Sequence, residues 1–126
     1  MSSHLSGSSR RETAAFKISQ HDRQNVHVVT LSGPLTAVTA RRARAGLTGR
    51  SWTRTTVVLD LDQLTVIDSS GLSVLASLRR HLDHDGRRLI LASSTPATRR
   101  LLSVTGIDRV IETHPSAAAA IAHVVP

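Results

Sequence analysis

The sequence contains no cysteine and no tyrosine, and its aromatic side chains are limited to Phe16 and Trp52. Because cysteine is absent, disulfide bonds, thiolate catalysis and Cys-based zinc or iron–sulfur sites are excluded. With 2% aromatic and 40% hydrophobic residues, a core has to be built mainly from Leu, Val, Ile and Ala. The length of 126 residues fits one domain of ordinary size.

Long apolar runs are also missing. Residues 1–13 are rich in Ser, Gly and Arg with an isolated Leu, which predicts a disordered tail rather than a signal peptide. The domain itself would then occupy residues 14–126. No stretch approaches the length needed to span a bilayer, so we expect a soluble, cytoplasmic protein with no membrane partner.

The charge is unbalanced, with 16 basic and 9 acidic residues, a formal net charge of +7 and Lys17 as the only lysine. A basic chain raises the possibility of nucleic-acid binding. The arginines occur as scattered pairs, however, and no basic run is interleaved with aromatic residues on which bases could stack. The use of Arg with plentiful Ala also suggests a GC-rich genome. Nucleic-acid binding therefore stays an alternative and not the main interpretation.

Apolar patterning predicts alternating strands and helices. We predict strands at Ala14–Ser19, Val26–Leu31, Val57–Leu61, Leu89–Ala92 and Val110–Ile111. We predict helices at Thr36–Leu47, from Leu72 to about Asp85, from Pro96 to Gly106, and at Ser116–Val124. In the first of these helices, Val38, Ala43 and Leu47 would form a narrow buried stripe. The segment Ser32-Gly33-Pro34 has turn composition and would end the second strand. This order predicts an α/β fold with a single mixed, mostly parallel sheet of four to five strands and about four helices.

The most informative segment is Asp68-Ser69-Ser70-Gly71-Leu72, between a predicted buried strand and a helix with Leu every three or four residues. It places a carboxylate and two hydroxyls at a helix N-terminus, where backbone N–H groups lack intrahelical partners. On its own, the pattern is also that of an ordinary capping turn.

Three segments together resemble the STAS domain of bacterial anti-sigma factor antagonists. The first is Asp68–Leu72 in its strand–turn–helix context. The second is Ser94–Leu102 with Thr105–Ile107, a Pro-initiated helix closed by a Gly-hydrophobic pair. The third is Leu31–Leu35 with Thr39-Ala40 downstream, which is similar to the family's strand ending in Gly-Glu-Leu-Asp and the helix after it. The resemblance covers about Ala14–Val124, nearly the whole chain.

The resemblance implies a binding protein and not an enzyme. In such a cycle the antagonist binds an anti-sigma factor that is also an ATP-dependent serine kinase, and so frees a sigma factor for transcription. The kinase would phosphorylate Ser69, with Ser70 as the fallback acceptor, and a PP2C-type phosphatase would reset the switch. The implied partner-binding residues are Asp68, Ser69, Ser70, Gly71, Leu72, Gly33, Leu35 and Thr36.

The sequence departs from the family at Pro34, where Glu is frequent, and at Thr36, where Asp is frequent. The acidic residue there normally lies near the phosphorylatable serine. One alternative is therefore a STAS scaffold subunit in a sensory or transport assembly, which would need no phosphate cycle. Nucleic-acid binding is the other alternative.

Other chemistry finds less support. Asp60, Asp62 and Asp68 suggest a receiver-like acidic site, but no lysine follows them in the chain. His81 and His84 form a helix-end pair without an evident third ligand. There is no Gly-x-Ser-x-Gly elbow and no phosphate-cradling glycine loop. We therefore expect no catalytic residues, no metal and no cofactor.

Overall fold

The structure, a computed structural model, describes residues 15–125. The expected tail at 1–13 therefore lies outside the described residues. Five strands form one sheet in the order β1-β2-β3-β4-β5, with β1 antiparallel to β2 and all other neighbours parallel. The strands are β1 (Lys17–Arg23), β2 (Val26–Leu35), β3 (Thr56–Ile67), β4 (Arg88–Ala92) and β5 (Glu112–His114).

Helices cover both faces of this sheet. They are α1 (Ala40–Thr48), α2 (Ser69–His84), α3 (Pro96–Val104), the single turn α4 (Ile107–Val110) and α5 (Ala117–Val124). Apolar residues of α1, α2 and α3 pack in one core cluster with Leu31, Leu59 and Leu91. Helix α5 packs in a second cluster with Val28, Val58 and Ile90. The predicted α/β fold with a mixed, mostly parallel sheet is confirmed.

The turn of the first hairpin is shorter than the segment between the two predicted strands. Strand β1 begins at Lys17 and runs to Arg23, which pairs with Val26, whereas the predicted strand ended at Ser19. The turn uses only Gln24 and Asn25, whose φ angles are 51° and 67°. Asn tolerates this left-handed region, and two such residues match the right-handed twist of paired strands. The polar residues before the turn therefore belong to an exposed strand.

Strand β2 does not end at the predicted turn. It continues through Gly33 and Pro34 to Leu35, and its register with β3 shifts on either side of Gly33. Gly33 has φ 85°, a conformation that favours glycine. Pro34 is tolerated because β1 pairs with β2 only as far as Ser32, which leaves one side of the strand without a ladder partner. The turn-like composition marks a bulge within the strand.

Helix α1 begins at Ala40 and not at the predicted Thr36. The Thr39 hydroxyl donates to the Pro34 carbonyl at 2.7 Å and accepts from the Thr36 amide at 3.1 Å, so residues 36–39 form a connecting turn. Val38 was predicted to lie on the buried stripe but is 92% exposed. The buried side is formed by Ala40, Ala43 and Leu47.

Two later elements also differ from prediction. Strand β3 extends six residues beyond Leu61 to Ile67, because its parallel ladder with β2 continues across the bulges. The predicted strand at Val110–Ile111 is wrong, since Val110 ends the turn α4 and strand β5 starts at Glu112. Within residues 15–125, no helix is both long and apolar enough to cross a membrane.

Candidate functional site

The segment Asp68–Leu72 lies at the carboxyl end of the long strand β3, at the start of the 16-residue helix α2. Asp68 is the N-cap, and its Oδ1 accepts a hydrogen bond from the Gly71 amide at 3.0 Å. Its Oδ2 accepts from the Ala37 amide at 3.2 Å. The Asp68 amide donates to the Leu35 carbonyl at 3.3 Å. Asp68 therefore caps the helix and also fixes the β2–α1 connection beside it.

These contacts set the ionisation of Asp68. The hydrogen bond from the Gly71 amide lowers the pKa of the Asp68 carboxyl below its usual value. Partial burial opposes this effect by raising the pKa, and the hydrogen bond from the Ala37 amide adds to the lowering. Hydrogen bonds donated to a carboxylate favour the charged form. Asp68 is thus a fixed negative charge next to the first residue of the helix.

Ser69 is the first residue of helix α2 and is exposed, whereas Ser70 is half-buried. Within residues 15–125, no hydrogen bond engages the Ser69 hydroxyl, while its carbonyl accepts from the Ser73 hydroxyl at 3.2 Å. The hydroxyl therefore faces solvent at the N-terminus of a long helix. A kinase could reach it without opening the fold.

Gly71 makes the close approach of this helix to the sheet possible. A Cβ at this position would lie 2.8 Å from Ile67 Cγ1, and it would also collide with the carbonyl oxygen of Leu35. Leu35 and Ile67 are the paired last residues of β2 and β3. Glycine is required here because the backbone of the helix start touches the ends of both strands.

The residues implied as partner-binding therefore separate by exposure. Four of them are buried and support the site without being accessible to a partner: Gly33, Leu35, Gly71 and Leu72. The accessible members are Asp68, Ser69, Ser70 and Thr36. Val38 joins this surface contrary to its predicted burial, because it lies in the same 36–39 turn and is 92% exposed.

An open groove of about 320 Å³ lies next to this surface, along the extended end of β3. Its lining comes from β3 and the start of α3: Leu64, Thr65, Val66, Ile67, Thr95, Ala97, Thr98 and Leu101. Val66 is half-exposed there. The groove exists because β3 projects beyond Asp60, the last residue that pairs with β4.

The two other acidic candidates, Asp60 and Asp62, have structural partners. Asp62 accepts from the amide and hydroxyl of Ser94 at 2.8 and 3.1 Å, and so holds the β4–α3 connection. Asp60 accepts from the Asp62 amide at 3.0 Å. The carboxylates thus serve separate local contacts. His81 and His84 lie in the last turn of α2.

Comparison with known proteins identifies the family to which this domain belongs. The STAS domain family matches residues 17–120. The chain belongs to the STAS domain family. That match spans every strand of the sheet and both residues of the Ser69–Ser70 pair, so the candidate site lies within the family's own domain.

Solved structures of this family share the fold. An anti-sigma factor antagonist from Mycobacterium paratuberculosis has a TM-score of 0.79 at 26% identity, covering 89% of this chain and 96% of that one. The Bacillus cell fate determinant SpoIIAA in its phosphorylated form gives 0.61 at 23% identity, covering 88% and 100%. The STAS domain of a SulP transporter from Vibrio cholerae gives 0.64 at 16% identity, covering 82% and 87%.

Proposed function

We propose that this STAS protein is an anti-sigma factor antagonist whose binding to an anti-sigma factor serine kinase is controlled by phosphorylation of Ser69. The observation that carries the proposal is the exposed, uncommitted Ser69 hydroxyl at the first position of α2. The likeness to the mycobacterial antagonist, which covers nearly all of both chains, and to a protein solved in a phosphorylated form supports it.

The site tolerates a phosphate electrostatically. A phosphoserine carries about −1.5 to −2 charges at neutral pH, and a negative charge at a helix N-terminus gains about 0.3–1 kcal/mol. Asp68 opposes it by repulsion. Since Pro34 and Thr36 are uncharged, the connection that packs on Asp68 adds no further negative charge of its own. Phosphorylation should therefore leave the domain folded.

The same phosphate should weaken the complex with a bound partner. A protein packed over Ser69 would have to remove water from a dianion, and a buried charge without a partner costs several kcal/mol. Phosphorylation should thus act mainly by releasing the kinase, and a PP2C-type phosphatase would restore binding. The contact surface in this proposal consists of Ser69, Ser70, Thr36 and the exposed Val38.

The decisive experiment is phosphosite mapping by intact-mass and peptide mass spectrometry on protein isolated from its native host. Wild type should carry one phosphate on Ser69, and Ser69→Ala should carry none. Ser70→Ala is the matched control and should remain phosphorylated. Loss of phosphate in Ser70→Ala with retention in Ser69→Ala would move the acceptor to Ser70.

A partner-binding assay distinguishes a phosphorylation-controlled switch from a constitutive scaffold. Ser69→Asp should lose binding to the kinase that wild type and Ser69→Ala retain in pull-down assays. Absence of phosphate under growth and stress conditions, with identical partners for wild type and both variants, would contradict the switching cycle. That result would favour a constitutive scaffold in a sensory or transport assembly.

A further inference from the structure

Glu112, His114 and His123 converge at the far edge of the sheet. Glu112 and His114 alternate along β5 and so point to the same face, and His123 comes from the last turn of α5, which covers that face. Helix α2 packs with the opposite face. This cluster is therefore separate from the Ser69 surface.

The three side chains direct their donor atoms at one point. Nε2 of His114 lies 2.8 Å from Oε2 of Glu112, and Nε2 of His123 lies 3.3 Å from the same oxygen. The three ligand atoms lie within 4.8 Å of one another. The imidazole rings are tilted by 42° with centroids 4.8 Å apart, so they converge on the carboxylate and do not stack face to face.

We propose that Glu112, His114 and His123 form a binding site for a divalent transition-metal ion, with zinc as the best match. Imidazole nitrogen and carboxylate oxygen are ordinary zinc ligands, and bonds of about 2.0–2.1 Å in a tetrahedron place neighbouring ligand atoms about 3.3 Å apart. The Glu112–His123 separation already meets this spacing. The Glu112–His114 pair would open by about 0.5 Å, and the two imidazole nitrogens, which lie within 4.8 Å of each other, would close by up to about 1.5 Å to reach the same spacing.

Arg88 orients the ligand carboxylate. Its Nε donates to Oε1 of Glu112 at 3.0 Å, which leaves Oε2 directed at the two imidazoles. Fixing a ligand through its second atom is a common role for residues around metal sites. Three protein ligands leave the fourth position open to water or to another donor.

A bound ion would tie the three-residue edge strand β5 to the C-terminal helix α5. Strand β5 is short and His123 is 56% exposed. A metal bond between them would stabilise the folded state by an amount that grows with the logarithm of the free zinc concentration above its Kd. The site thus implies a structural role for zinc that is independent of the proposed phosphate switch.

The test is calorimetric titration of the tag-free full chain with zinc chloride, with wild type expected to bind one Zn²⁺. His123→Ala and Glu112→Gln should each weaken binding by about tenfold or more, as loss of a ligand or its support does. His84→Ala, which removes an exposed helix-end histidine outside the cluster, is the matched control and should bind like wild type.

Two further readouts keep the test independent of folding defects. Co²⁺ should give the visible absorption of a tetrahedral site with wild type, and zinc should raise the melting temperature of wild type but not of His123→Ala. Absence of saturable binding to wild type, or equal binding by all four proteins, would overturn the proposal. In that case the cluster is a hydrogen-bonded ion group.

Discussion

The Asp68 carboxylate accepts a hydrogen bond from the Ala37 amide, 31 residues away in the chain, while its other oxygen caps helix α2 through Gly71. One side chain thus fixes both the helix that begins with Ser69 and the neighbouring turn that carries Val38. The geometry of the proposed partner surface therefore depends on this residue.

Replacement of the cap should destabilise the domain. We expect Asp68→Ala to lower the free energy of unfolding by about 0.5–2 kcal/mol, because the Gly71 amide loses its acceptor. Asp68→Asn should cost less, since asparagine is also a good N-cap. Urea denaturation would measure both variants, with Asp85→Ala at the exposed opposite end of α2 as the control. Equal stability of all three variants would refute the capping role.

The same residue should give the domain part of its acid sensitivity. Its hydrogen bonds hold the pKa of Asp68 below the ordinary value in the folded state. The resulting stabilisation is therefore complete above the unfolded-state pKa of about 4 and is lost as the pH falls through the lower folded-state pKa. Stability measured by denaturation between pH 5 and pH 2, taken as approximate limits, should fall less steeply in Asp68→Asn than in wild type. Parallel curves would contradict this assignment.

Gly71 should not accept a side chain. In Gly71→Ala the added methyl would meet the Leu35 carbonyl and Ile67, and overpacking of this kind costs about 1–3 kcal/mol. Gly46→Ala is the matched control, because its methyl would meet only the flexible end of the Ile18 side chain, and alanine favours helix by up to about 1 kcal/mol over glycine. Thermal unfolding should show a large loss for the first variant and little change for the second. The reverse order would refute the close-approach argument.

His27 is a second residue that joins distant segments. It is buried, its Nε2 accepts from the amides of Thr53 and Arg54 at 3.1 Å each, and its Nδ1 lies 2.6 Å from Asp22. In His27→Leu these two amides lose their acceptor. Since one hydrogen bond contributes about 0.5–1.5 kcal/mol, the free energy of unfolding should fall by about 1–3 kcal/mol.

The nearby exposed histidine, His21, gives the control. His21→Leu should change the free energy of unfolding by no more than about 0.5 kcal/mol, as surface substitutions usually do. Urea titration of both variants would compare them directly, and equal losses would exclude a specific role for the His27 contacts. The hydrogen bond from His27 also lowers the pKa of Asp22, so acid should weaken the same junction.

The exposed Val38 should matter for binding and not for stability. Val38→Ser should weaken the kinase complex by about tenfold, in line with the loss of more than 1 kcal/mol expected at a contact anchor. The control is Val104→Ser, at another exposed valine, 76% accessible, on α3. Neither variant should shift the melting temperature. Unchanged affinity of Val38→Ser in calorimetry would place the contact surface elsewhere.

Local sequence determined the framework of this protein. The apolar run before Asp60 predicted β3, and the Leu spacing from Leu72 predicted α2, because both patterns reflect burial that a single element imposes on its own residues. The capping turn Asp68–Leu72 could also be predicted from the sequence, since a cap uses residues that are near each other in the chain.

The tertiary structure decided what depends on neighbours distant in sequence. Pro34 lies within a strand because β1 does not pair with this end of β2. Val38 is exposed because the 36–39 turn, to which it belongs, is held by hydrogen bonds of Thr39 and Asp68. No local pattern encodes these contacts. The cluster of Glu112 and His123 likewise exists only because α5 packs across the sheet edge. These two residues are eleven positions apart in the chain, and no local sequence pattern places their side chains together.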